Sequence, residues 1–404
     1  MEKVISTEKL PIKLWLNDIE DGALKQVQNM ANLPFAFKHI AIMPDSHQGY
    51  GMPIGGVLAT KNVIIPNAVG VDIGCGMCAV KTSLTDIDRE TLKKIMGEIR
   101  KQIPVGFNKH EEAQDEAIMP SLFSDPCSQK SLNIPIVSRE YQNALISLGT
   151  LGGGNHFIEI QKGSDGHIWI MLHSGSRNLG KQVADYYDMT ARMLNQKWYS
   201  SIPKEFDLAF LPLDSDEGKA YIKEMNYCVE FALANRKLMM ERIQYIFADF
   251  FDGKNEDGER TRMVDFDDMI NIAHNYARME NHFGHNVMVH RKGATLATKD
   301  TIGIIPGSQG TKSYIVRGKG NPDSFNSCSH GAGRKMGRKD AERRLNLEEE
   351  IKNLDDQGIL HAIRGKSDLD EAPGSYKPID VVMNNQKDLV DILVELTPLA
   401  VIKG

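Results

Sequence analysis

Apolar runs in this chain repeatedly end in small clusters of glycine, histidine, cysteine and acidic residues, and those clusters are spread from Asp45 to Lys403. No Pro/Gly/Ser-rich linker separates them, and no internal repeat or low-complexity segment is visible. This distribution constrains the fold more than any single motif. Residues so far apart can serve one chemistry only if nearly the whole chain folds as one body. The 404 residues would accommodate two or three average domains, but the reading favoured here is one large domain of mixed α and β over residues 1–404.

Composition narrows the class. With 41% hydrophobic and 25% charged residues the chain is globular rather than disordered. Five cysteines, an odd number, fit the thiols of a reducing compartment better than a disulfide scaffold. The first residues, Met1 to Lys13, lack the apolar core of a signal peptide, and no run of about 18 apolar residues could span a membrane. A cytoplasmic protein with no membrane partner is expected. The net charge of -6 argues against indiscriminate nucleic-acid binding. It is uneven, however: from Lys312 to Arg344 nine Lys/Arg stand against three Asp/Glu. That stretch is a candidate phosphate-binding surface, or equally a solvated helix face.

Short β-branched runs read as buried strands at Val63 to Ile65, Val69 to Val71, Ile158 to Ile160, Ile168 to Leu172 and Thr301 to Ile305. Helices are expected over Gly180 to Trp198 and Arg338 to Lys352. The longest runs from Asp216 to Phe251, where Tyr221, Met225, Cys228 and Ala232 follow the spacing of one helix face. Asp216 is its expected cap and Asp252-Gly253 its stop. The loop at 107–135 and the acidic segment at 255–268, read as a surface excursion, carry no recognisable motif.

Four clusters carry chemistry. In Val71-Asp72-Ile73-Gly74-Cys75-Gly76-Met77-Cys78 a strand ending in Asp-x-x-Cys would place a carboxylate and a thiolate on one tight turn, able to hold one or two metal ions. Taken alone, Asp72 serves equally as a turn cap and Cys75 as a small buried residue. Cys78 completes a lone C-x-x-C to which no role is assigned. Gly152-Gly153-Gly154-Asn155-His156-Phe157-Ile158-Glu159 lets the backbone approach a ligand and leads into a strand, on which His156 and Glu159 face opposite ways. Met171 to Arg177 is again a strand ending in a histidine, His173, followed by small residues and Arg177, an arginine suited to phosphate. His274 lies beside polar neighbours. Ser327 to Arg334 puts His330 among small residues at the centre of the basic stretch, suited to attack on phosphorus or to binding it. Ile305 to Gly310 adds backbone and hydroxyl donors, though its spacing is not that of a Walker A loop. Residue chemistry alone therefore reaches a mixed Asp/Cys/His metal site beside a phosphate pocket, with zinc the first guess for a thiolate site.

In order along the chain, Phe37 to His47, Gly70 to Met77, Gly152 to Glu159, His173 to Arg177, Ile304 to Gly310, Ser327 to Arg334 and Val401 to Gly404 resemble the RtcB family of RNA-splicing ligases. The resemblance implies a single α+β domain with an antiparallel β core flanked by helices. It implies two manganese ions held by Asp72, Cys75 (bridging), His156, His173 and His274. His330 would be the nucleophile that takes GMP from GTP. Asn155, Phe157, Glu159, Ser308, Ala332, Gly333, Tyr376 and Lys403 would surround the guanylate. Asp45 matches an acidic residue near the site, and Arg177 and Arg334 are candidates for RNA or triphosphate oxygens. The implied reaction joins RNA 3′-phosphate or 2′,3′-cyclic phosphate ends to 5′-hydroxyl ends, in tRNA splicing or RNA repair. Whether an activating protein is needed is not written in the residues. A metal-dependent phosphoesterase and a non-catalytic RNA-binding relative are the alternatives.

Overall fold

A computed structural model describes residues 1–122, 134–254, 260–261 and 264–404. Two large sheets organise the chain. The first runs, in spatial order, Lys3–Ile5, Ile12–Leu14, Ala36–His47, Ile54–Thr60, His285–Lys292 and Asn275–His282. Its pairs are antiparallel except Ile12–Leu14 with Ala36–His47. The second sheet runs Ile270–Ala273, Gly76–Lys81, Ile168–Ser174, Phe157–Gly163, Val390–Lys403, Ser313–Gly318 and Ile302–Ile305, antiparallel throughout. Its two edge strands lie against one another, so the sheet curls into a nearly closed barrel. This is a mixed α+β architecture on an antiparallel core.

The two-residue period of a strand sorts the second sheet's side chains. Met77, Ala79, Met171, Ile304, Ile315 and Leu396 fill the curl. Cys78, Val80, Ile158, Ile160 and Ile170 point outward and are covered by the helix Arg89–Gln102, through Ile95 and Ile99, and by the helix Asp216–Phe251, through Met239, Ile243 and Phe247. Cys78 is thus a core residue facing away from the Asp72–Cys75 turn, and burial pushes its thiol up to about 12.

The long helix has the bounds its pattern predicts, a length of roughly 54 Å at 1.5 Å per residue. Its cap is Ser215, one residue earlier than expected, whose hydroxyl accepts from the Gly218 N–H. Three other expectations need correction. No strand spans Val69 to Val71. Pro66 opens a single helical turn, Pro66–Val69, and Gly70 at φ 93° reverses the chain, so Asp72 enters the strand Gly76–Lys81 rather than ending one. The helix expected over Arg338 to Lys352 is two, Arg338–Arg344 and Leu347–Asp356, because Asn346 leaves helical geometry to cap the second by accepting from the Glu348 and Glu349 N–H groups. The helix expected from Gly180 begins earlier, as Arg177–Lys197. The expectations for 107–135 and 255–268 fall partly at 123–133, 255–259 and 262–263, outside the described residues. No helix among the described residues is long and apolar enough to cross a membrane.

One long strand went unread in the sequence. Val390–Lys403 lies in the middle of the second sheet despite Pro398, which is accommodated where the register slips between Pro398 and Ala400. It sets Lys403 opposite Phe157.

Candidate active site

The two sheets meet at His274, the one residue between the strands Ile270–Ala273 and Asn275–His282, one strand in each sheet. The His274 N–H donates to the Cys75 carbonyl at 2.8 Å, and the Gly74 N–H donates to Asn275 O at 2.8 Å, which stitches the Asp72–Cys75 turn to this junction. From below, the buried Arg236 of the long helix donates to the carbonyls of Gly74 (2.9 Å) and Ser174 (2.8 Å). One guanidinium therefore holds both the turn and the end of the His173 strand. Nothing local in the sequence around Arg236 or Asn275 marks these roles.

The ligand-type side chains converge. Cys75 Sγ lies 3.2 Å from His173 Nε2 and 3.4 Å from His156 Nε2. His173 Nε2 is 3.4 Å from His274 Nε2, and His156 Nε2 is 3.3 Å from Asp72 Oδ2. The far nitrogens are committed: His156 Nδ1 donates to Leu151 O at 2.9 Å and His173 Nδ1 to Asn155 O at 3.0 Å. The His173 and His274 pKa values are pushed well down, by burial first and then by neighbouring histidines, so both rings are neutral. His173 accordingly aims a lone pair at Cys75 and His274, groups with little to donate back. The Cys75 thiol is driven up by burial and by Asp72. Burial raises Asp72 too, but the hydrogen bond and charge of His156 outweigh it and hold the carboxyl below its ordinary range. Buried acceptors facing acceptors are costly unless a cation sits among them. The donor set thus fits metal, with Asp72 3.3 Å from His156 and His274 3.4 Å from His173. Cys75, His156 and His173 alone already form a compact ligand cluster.

A cavity of about 950 Å³ opens beside this cluster, with Asp72, Cys75, His173, His274 and His330 on its wall. His330 follows the strand Ser327–Ser329, and its ring centroid is 4.8 Å from that of His274. Its Nδ1 donates to Asp45 Oδ2 at 2.6 Å. The same oxygen accepts the N–H groups of His330 (3.1 Å) and Gly331 (3.3 Å). Burial alone would raise Asp45, which is wholly buried, but His330's charge and hydrogen bond outweigh it, so the carboxylate is held ionised. With Nδ1 so occupied, Nε2 is left for the cavity. Gly333 makes the close approach possible: at φ 72° a Cβ there would lie 2.0 Å from the Asp45 carbonyl oxygen.

Asn155, Phe157, Glu159 and Ser308 line the cavity, as do Ala332, Gly333, Tyr376 and Lys403. Lys403 Nζ lies 5.7 Å from the centroid of the Phe157 ring and 3.1 Å from Glu371 Oε2. Glu159 is buried with Oε1 unpartnered, and burial pushes its carboxyl well up against the opposing charge of Lys403. Glu371, which the motifs did not single out, is a hub. It accepts from Tyr376 Oη, Lys403 Nζ and Arg334 Nη1 (3.0 Å). An acid beside Asp370 at the end of the short helical segment Lys366–Glu371 leaves no sequence signal for that. Lys292 was missed too; its Nζ donates to the carbonyls of Tyr50 (2.6 Å) and Asn67 (2.9 Å), and burial brings it down to about 7.

The candidate phosphate residues are placed differently from one another. Arg334 lines the cavity but is tied to Glu371 and to the Asp370 and Met336 carbonyls. Arg177 lies behind the glycine-rich loop, donating to Thr150 Oγ1 (2.9 Å) and Gly106 O (3.0 Å). Asp45 lies behind His330. Within the basic stretch, Arg334, Arg338 and Lys339 reach the cavity, while Lys312, Lys319 and Arg343 pair on the surface with Glu395, Asp391 and Asp340.

Residues 26–404 match the family described as tRNA-splicing ligase RtcB. The chain is 38% identical to the RNA-splicing ligase RtcB of Escherichia coli K12, covering 100% of this chain and 99% of that protein. It is 31% identical to the tRNA-splicing ligase RtcB of Thermococcus kodakarensis, over 95% of this chain and 92% of the relative. The RNA-splicing ligase RtcB homolog 1 of Entamoeba histolytica is also 31% identical, over 95% of this chain and 84% of the relative.

Proposed function

The chain belongs to the RtcB family of RNA-splicing ligases, and from that premise we propose that it is a GTP- and manganese-dependent enzyme joining RNA 3′-phosphate or 2′,3′-cyclic phosphate ends to 5′-hydroxyl ends through a histidine–GMP intermediate. The observation that carries this reading is His330: Nδ1 is held by a buried carboxylate, and Nε2 is left to a cavity whose wall also carries the convergent Cys/His cluster. The whole of residues 1–404 acts as one catalytic unit, since the site draws on strands of both sheets.

His330 Nε2 attacks the α-phosphorus of GTP. The N–P bond forms, the bond to the bridging oxygen breaks, and pyrophosphate leaves. Asp45, ionised and 2.6 Å from Nδ1, stabilises the positive charge that the ring acquires and holds the ring in the reactive tautomer. The chemistry a bound manganese pair supplies, held by Asp72, Cys75, His156, His173 and His274, is neutralisation of phosphate oxygens. Glu159, with its free oxygen, suits the N–H edge of guanine, while Phe157 and Tyr376 flank the base and Lys403 supplies charge beside it. An oxygen of the RNA 3′-phosphate then takes the guanylate from His330, restoring the neutral ring. The RNA 5′-hydroxyl oxygen attacks the activated 3′-phosphorus, its proton is lost, and GMP leaves. A cyclic phosphate end is first opened by water to the 3′-phosphate.

Incubation with α-labelled GTP and manganese, followed by a denaturing gel, tests the reading. Label should stay on the wild-type chain and be absent from His330→Ala, which should still bind metal. Label surviving on His330→Ala would remove the nucleophile, and an unlabelled but metallated wild type would shift the reading to a phosphoesterase or to an activator-dependent enzyme.

A further inference from the structure

A second cleft, of about 630 Å³, lies between the helix Arg89–Gln102 and the segment Ile359 to Arg364, with Val401 at its back. Val401 also lines the catalytic cavity, so the two share a wall through the C-terminal strand. Four of its lining side chains are cationic, Arg89, Lys93, Arg100 and Arg364, against one carboxylate, Asp355. That carboxylate sits 3.4 Å from His361 Nε2, another lining residue, whose side chain is 6% exposed and whose Nδ1 has no partner.

The cations are poorly neutralised. Among the described residues no carboxylate lies within ion-pair distance of Arg100 or Arg364; the Arg364 side chain donates only to its neighbour's carbonyl, Ile363 O, at 2.7 Å. Arg100 is destabilised as a cation by burial and by the charge of Arg364. Arg89 donates to Gly358 O. Lys93 pairs with Glu90, but in solvent, where such a pair contributes little. Arg89, Lys93, Gly97 and Arg100 follow the 4, 4, 3 spacing of one helix face, and nothing lies within 4 Å of where a Cβ on Gly97 would be, which leaves the middle of the row open.

We infer that this cleft is a second binding site, for the phosphodiester backbone of the RNA strand whose end is joined in the catalytic cavity. Length favours a strand over a compact anion. Arg89 to Arg100 spans roughly 16 Å of helix, the reach of several successive backbone phosphates rather than of one compact anion. Pyrophosphate or a free nucleotide could engage only one end of such a row. Val401 stands between the cleft and the catalytic cavity, so the cleft adjoins the place where the strand's end reacts. The inference rests on the RNA-ligase reading for the identity of the strand, but its test does not depend on ligation.

The experiment is direct binding of a labelled 20-nucleotide RNA with a 3′-phosphate to the full chain, over a range of salt, for wild type and Arg100→Glu/Arg364→Glu. The double variant should bind about tenfold more weakly, and its salt slope should fall by roughly 1.4, two phosphates' worth for a single strand. Its GTP labelling and its binding of a trinucleotide 3′-phosphate should match wild type, which also shows that it folds. Unchanged affinity and slope for the 20-mer would overturn the site. So would pyrophosphate displacing the 20-mer from wild type but not from the double variant, which would mark a compact-anion pocket. A wild type that binds the 20-mer in this way but takes no label from GTP would keep the cleft and discard the ligation chemistry.

Discussion

Two of the buried polar clusters in this molecule are built on opposite principles. In the first sheet, Arg291 is fully buried, yet its guanidinium meets Glu280 at 2.6 and 3.0 Å, Ser327 Oγ at 2.9 Å and Phe325 O at 2.8 Å. Glu280 is in turn met by His282 at 2.9 Å. Burial would raise the Glu280 carboxyl, but His282 and Arg291 outweigh it and bring it down to about 2. Charge and hydrogen bonds close on themselves there. At the sheet junction His156 meets Asp72, but the Nε2 atoms of His173 and His274 face each other at 3.4 Å beside Cys75 Sγ, and among the described residues no stronger donor than that thiol reaches them. A self-satisfied buried cluster holds the fold, whereas an unsatisfied one is designed around something the chain does not supply.

The sharpest break between the two is a pair of substitutions. Arg291→Ala empties a fully buried guanidinium site and leaves the half-buried Glu280 with only Arg278 (3.2 Å) and His282, and should cost about 2–3 kcal/mol of unfolding free energy. His274→Ala removes a group that has no good partner in the metal-free chain. It should leave the metal-free stability within about 1 kcal/mol of wild type while abolishing GTP labelling. Denaturant unfolding of the two metal-free variants measures this; equal losses would erase the distinction.

A second effect is acid sensitivity seated in the first sheet. Burial brings both His39 and His290 down to about 4 from an ordinary 6.5. His290 is held neutral by its bonds: Nε2 accepts from the Ile65 N–H at 3.0 Å and Nδ1 donates to Leu58 O at 3.1 Å. Because the unfolded chain takes the proton first, their contribution is intact above pH 6.5 and is lost as pH falls toward 4. The loss approaches about 1.4 kcal/mol per pH unit for each histidine. Stability of the metal-free chain from pH 7 to 4.5 should fall less steeply in His290→Gln than in wild type; identical slopes would show that His290 is not part of the effect.

The smallest effect separates two cysteines three residues apart. Cys78→Ala trims an outward-facing core residue and should cost about 1 kcal/mol with labelling unchanged. A Cys78→Ala protein without metal would mean that the alternation along Gly76–Lys81 does not divide site from core.

What could be read from residues alone follows from how local each signal is. The long helix was legible because its spacing is self-contained and Gly253 ends it. The ligand residues were legible as types beside glycine turns, although the turn was expected to end a strand and instead begins one after the Pro66 helical turn. The missing parts act at long range. Glu371 serves side chains from other segments, Arg236 reaches a turn and a strand end from a helix, and Val390–Lys403 runs on as a strand past Pro398 where the register slips. Cys78 shows the limit of a motif: C-x-x-C is a pattern in sequence, but the pleat sends Cys78 away from Cys75.

The central claim, that the junction cluster is built for metal with Cys75 shared, is tested most directly by counting manganese. Wild type, Cys75→Ala and Cys78→Ala would be loaded with manganese, desalted and analysed for the element beside GTP labelling. Two ions per chain and full labelling are predicted for wild type and Cys78→Ala, with both lost together in Cys75→Ala. A Cys75→Ala protein that keeps two ions and takes label would contradict the account.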